Sequence, residues 1–137
     1  MRRLAFAVPV VAFALAACGG NAGDLDAFCA AATEAAEVAP DIDSAADASE
    51  LQTAYEALDL HIQAMGRTAP EEIATDMRLV VNAWSANLDA LQDVQYDASK
   101  LAAPEDPEEG DEYATAAADV EQFVADECDV ELDTGPR

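Results

Sequence analysis

Four stretches of the chain repeat their apolar residues every three or four positions, the spacing of a helix with one buried face. The first is Leu25, Phe28, Ala32 and Ala36. The second is Leu51, Ala54, Tyr55, Leu58, Ile62 and Met65. The third, the longest and most apolar, is Ile73, Met77, Val80, Trp84, Leu88 and Leu91, and the fourth is Tyr113, Ala117, Val120, Phe123 and Val124. Start and stop signals frame them. Asp24 is an N-cap candidate with Asp26 favouring the positive end of the helix dipole, and Pro40 is expected to end the first helix. Asp47 with Glu50 comes close to a capping box, and Gly66 is expected to stop the second helix at the C′ position with Arg67 beside it. Thr68 with Glu71 reads as another capping box, with Pro70 in the first turn. Residues 93–110 read mostly as loop, and the last helix as starting at Pro107 or Asp111 and ending at Glu127. Alternating strand patterns, hairpin turns and repeats of 20–50 residues are missing from the sequence. The pattern predicts an all-α, up-down-up-down four-helix bundle over residues 24–128, followed by a flexible acidic tail at 129–137.

Charge narrows the function. The formal net charge is −23, with 29 acidic residues against six basic ones. Such a surface repels nucleic acid and anionic lipid head groups, which excludes a DNA- or RNA-binding role. Apolar residues make up 52% of the chain, so acidity does not imply disorder, but many of them are alanine, which favours helix and gives a thin core.

The residues ahead of the first stripe carry a different message. Met1-Arg2-Arg3 is followed by an apolar run from Leu4 that closes on Leu15-Ala16-Ala17-Cys18. This resembles a bacterial lipoprotein signal with its lipobox, in which a branched residue and two small ones precede the cysteine that takes a diacylglyceryl group. The run is shorter than the roughly 18–20 apolar residues of a spanning helix and contains Pro9. Arg2-Arg3 reads either as the ordinary positive start of a secretory signal or as a twin-arginine signal. The resemblance implies a cleaved signal peptide at 1–17, a lipidated Cys18 and a tether through Gly23. The protein is then expected on the extracytoplasmic face of the cell membrane, held by lipid and not by a basic patch. The mature chain keeps about 120 residues, enough for one domain. Its charge is near −25, because Arg2 and Arg3 leave with the signal.

Cysteine arithmetic follows from that location. Of Cys18, Cys29 and Cys128, the lipid takes the first, and an oxidising compartment lets the other two pair. The pairing Cys29–Cys128 is expected; two buried free thiols are the alternative. The pairing also suits the topology, because an up-down-up-down bundle brings the start of its first helix and the end of its last to one end. Closing a loop of about 100 residues stabilises by roughly 4–5 kcal/mol in the chain-entropy model. The mature part also resembles small Cys-stapled helical domains of actinobacterial secreted proteins and lipoproteins. The likeness lies in the acidic Phe-Cys start Asp26-Ala27-Phe28-Cys29, the mid-chain run Ala69-Pro70-Glu71-Glu72-Ile73-Ala74-Thr75-Asp76, and the closing Cys128. It implies a stapled bundle and brings no known activity.

Catalytic signals are scarce. His61, the single histidine, has no patterned nucleophile and orienting acid, and is expected at the boundary of a packed helix. One histidine and a cysteine pair do not make a zinc site, and no Glu stands three positions before His61 as a di-metal motif requires. Met65 and Met77 fall on core stripes. The run Glu105-Asp106-Pro107-Glu108-Glu109-Gly110-Asp111-Glu112 lacks the fixed alternation of an EF-hand and reads as a solvated acidic loop. Trp84, Tyr55, Phe123 and Tyr113 read as core. The expectation is a lipoprotein without catalysis or cofactor. It presents the bundle to an envelope protein partner or serves envelope structure. The rivals are a carrier with an apolar groove near Trp84, and a hydrolase whose site the sequence does not reveal.

Overall fold

The computed structural model describes residues 23–101 and 107–132. The expected signal peptide, Cys18 and the tether up to residue 22 lie outside the described residues, as do 102–106 and 133–137. Among the described residues the chain is all-helical, with four α-helices and no strand: α1 (Leu25–Ser44), α2 (Ala48–Thr68), α3 (Ala74–Asp93) and α4 (Pro107–Cys128), with a 3₁₀ turn at Ala98–Lys100. The most extensive packing is between α1 and α2; α3 packs on both α2 and α4, and α4 closes on α1.

The starts of α1 and α2 follow their capping chemistry. The Asp24 carboxylate accepts from the Ala27 N–H at 3.1 Å. Asp47 accepts from the Ser49 and Glu50 N–H groups at 2.9 and 3.0 Å, and Glu50 reaches back to the Ala46 N–H at 2.8 Å. Each such cap contributes about 1 kcal/mol.

Three boundaries depart from expectation. α1 runs through Pro40 to Ser44. The proline removes one backbone donor, but Ile42 beyond it packs against the core, and burial carries the helix on. Gly66 does not end α2: it lies inside the last turn, and the helix stops at Thr68 because Ala69, before Pro70, takes an extended conformation. A Cβ at Gly66 would stand 2.8 Å from Val81 Cγ2, so this glycine serves the close approach of α2 to α3. Thr68 does not cap α3. Its hydroxyl donates to the Ala64 carbonyl of α2 at 2.8 Å, residues 71–73 form a turn, and α3 begins after Ile73 without a side-chain cap.

The core follows the four stripes. Phe28, Met65, Met77, Leu91, Val80, Val120 and Val124 are fully buried, and α1 adds Ala31, Ala32 and Ala35. Alanines on α1 let α2 come close. Leu25, expected on the inner stripe, is 37% exposed at the first position of its helix. After α4 the chain turns through Asp129 at φ 54°, packs Val130 against the core and buries Leu132. The beginning of the expected flexible tail is therefore part of the bundle.

Candidate functional site

Cys29 and Cys128 are joined in a disulfide, with Cα atoms 5.2 Å apart across a sequence separation of 99. Both are partly buried against the core, and the Phe28 and Phe123 rings meet edge-on beside them, centroids 5.8 Å apart. The expected pairing is thus formed, at the start of α1 and the end of α4. Gly23, just before α1, lies so close to the connection between α2 and α3 that a Cβ there would run into the Ala69 carbonyl and the Pro70 nitrogen.

His61 is half-buried on α2, and its Nδ1 stands 3.1 Å from Glu34 Oε2 on α1. It is a boundary residue that ties two helices together. Met65 and Met77 are both buried in the core. Among the described residues no group of three or more His, Cys, Asp or Glu side chains is placed to hold a metal ion. Glu105 and Asp106 of the acidic run lie outside the described residues.

Trp84 belongs to a polar–aromatic seam between α2 and α3. Its indole stacks on Tyr55 at a centroid distance of 5.4 Å, and its Nε1 donates to Asp59 Oδ1 at 3.0 Å. Gln63 donates to the same carboxylate oxygen at 3.4 Å and to Ser85 Oγ at 3.2 Å. Burial pushes the Tyr55 phenol above the ordinary tyrosine range, and a hydrogen bond with Asn87 pulls part of the way back. Tyr96 lies 6.4 Å from Tyr55 between centroids, and its hydroxyl is buried without a hydrogen-bond partner among the described residues. One face and the polar edge of the indole are therefore engaged by the protein itself. Sequence spacing placed Tyr55 and Trp84 in the core but did not foresee the Asp59–Trp84 bond; an acid four residues after a tyrosine on one helix face was the available signal.

An open groove lies elsewhere, between the C-terminal half of α1 and the N-terminal half of α2. Its volume is about 420 Å³. Val38, Ala45, Ala54 and Ala57 give it an apolar floor, and Asp41 and Glu50 set carboxylates along it, with Ser44, Ser49 and Thr53. The expectation that Pro40 ends the first helix conceals the last turn of α1, and with it this groove. No family model, no curated protein and no solved structure matches the chain.

Proposed function

We propose that this protein is an extracytoplasmic lipoprotein, held by a diacylglyceryl group on Cys18, that presents an acidic helical bundle for interaction or envelope structure and has no catalytic role. The observation that carries the reading is Leu15-Ala16-Ala17-Cys18 at the end of a short apolar run, upstream of a chain whose other two cysteines are bonded to each other. A disulfide fits the oxidising side of the membrane, and the lipid accounts for the third cysteine. No helix among the described residues is long and apolar enough to cross a membrane.

In this reading the helices run up-down-up-down. The Cys29–Cys128 bond and the seat of Gly23 against Ala69 and Pro70 support it. On this reading the α2–α3 turn and the end of α4 face the membrane, and the α1–α2 connection faces outward. The carrier reading gains little support: the indole of Trp84 is stacked and hydrogen-bonded, and the α1–α2 groove carries carboxylates that disfavour a purely apolar guest.

Metabolic labelling with a palmitate analogue, followed by membrane fractionation, tests the anchor. The wild-type chain takes the label and sediments with membranes. Cys18→Ala loses the label and appears in the soluble fraction, because two acyl chains give stable anchoring and an unlipidated acidic bundle has none. Full membrane retention of the variant would overturn the proposal.

A further inference from the structure

We infer that the α1–α2 groove docks a lysine-bearing segment of a partner protein. The inference deepens the interaction role proposed above and rests on that reading for its outward-facing position. Three observations converge on a cation with an alkyl stem. The groove has an apolar floor of Val38, Ala54 and Ala57, short side chains that leave room for a methylene chain. Asp41 and Glu50 line it from opposite helices, which sets negative charge on both walls and suits a cation. The groove also opens at the C-terminal turn of α1, the negative end of its dipole. That turn carries Asp41 and no basic residue, the wrong sign of charge for its end of the dipole. A bound cation relieves this local conflict, whereas an anion or a second copy of the chain, with its formal net charge of −23, worsens it.

Glu50 Oε2 accepts from the Ala46 N–H, and Asp47 caps α2, so both keep a helix start in order while Glu50 retains lone pairs for a second donor. The Ser44 hydroxyl is committed to the carbonyls of Pro40 and Asp41, and that of Thr53 to Ser49.

The test uses the full-length protein in a neutral detergent and a capped five-residue peptide of lysine, leucine and alanine bearing a neutral fluorophore. Anisotropy should show saturable binding at about 0.15 M salt. A peptide with glutamate in place of lysine, and one with norleucine in place of lysine, should fail to bind. The double variant Asp41→Asn with Glu50→Gln, which keeps the acceptor used in the cap, should weaken binding about tenfold. The control pair Asp89→Asn with Asp93→Asn removes two exposed acids from the C-terminal end of α3 and should leave affinity within about twofold. Equal weakening by both pairs would reduce the effect to net charge and overturn the inference. So would binding of the norleucine peptide, which would make the groove an apolar site. Palmitate labelling of the same preparations reads the anchor separately, so loss of the label without loss of peptide binding, or the reverse, tells which proposal has failed.

Discussion

Gln95 and Tyr96 occupy left-handed backbone, φ 55° and 59°, in two successive residues without a glycine. They complete the C-terminal cap of α3: the Gln95 N–H donates to the Gln92 carbonyl at 3.0 Å and the Tyr96 N–H to the Leu91 carbonyl at 2.7 Å. Left-handed conformation costs a side-chain-bearing residue roughly 1–2 kcal/mol, and burial of Tyr96 and Leu91 together offsets it. Gln95 is exposed and contributes no such burial. Gln95→Gly is therefore expected to stabilise by about 1 kcal/mol, a rise in Tm of about 4–8 °C for a domain of this size, read by calorimetry. Tyr55 supplies a pH test. Its folded-state phenol ionises above the ordinary value of 10.0, so the folded state resists losing that proton more than the unfolded chain does. Its contribution is complete below that value and declines as the pH rises through it. Urea midpoints taken between about pH 9 and 11 should fall with pH, and the fall should be shallower in Tyr55→Phe.

At the scale of the helix, glycine and valine set the spacing of α2 and α3. Gly66→Ala gains up to about 1 kcal/mol of helix propensity but drives a methyl group into Val81. The substitution is expected to destabilise the wild-type chain and to stabilise one that already carries Val81→Ala, with a coupling of at least about 1 kcal/mol in a double-mutant cycle. Boundaries such as this one show where sequence reading stopped. Stripes of apolar residues identified all four helices, and Asp24 and Asp47 announced two starts. Pro40, Gly66 and Thr68 misled, because each is a local signal outweighed by its surroundings: Ile42 packed on the core beyond the proline, Val81 facing the glycine, Pro70 straightening the chain after the threonine. The α3 cap carried no sequence mark at all, since Gln95 and Tyr96 are not residues that signal left-handed backbone. The groove at Asp41 and Glu50 became visible only when α1 extended past Pro40. The disulfide was legible because only two cysteines remained once Cys18 was assigned elsewhere.

For the molecule as a whole, charge works against compactness. Among α1 to α4, only α2 has a basic residue, Arg67, in its last turn. Carboxylates thus crowd negative helix ends as well as one another, and screening relieves both effects. Tm is expected to rise by several degrees between about 0.01 and 0.2 M NaCl, over which the Debye length shrinks from about 30 Å to below 10 Å. CaCl₂ at matched ionic strength should add little, since the described residues hold no cluster placed for a metal ion. A saturable gain at micromolar Ca²⁺ in thermal melts would contradict this.

Cys29 and Cys128 also determine how the molecule bears tension. A pull between the proposed anchor at Cys18 and anything grasping the end of the chain enters at Gly23, crosses the sulfur bridge and leaves after Cys128. The helical segment between the two cysteines is bypassed, so load extends only the short ends while α2 and α3 feel none of it. Reduction removes the shunt and adds the 99-residue separation to the extensible length, about 330–360 Å of contour at full stretch. An intact bridge thus makes the bundle a short, stiff link between the two ends of the chain, and a reduced one makes it a long, compliant strap.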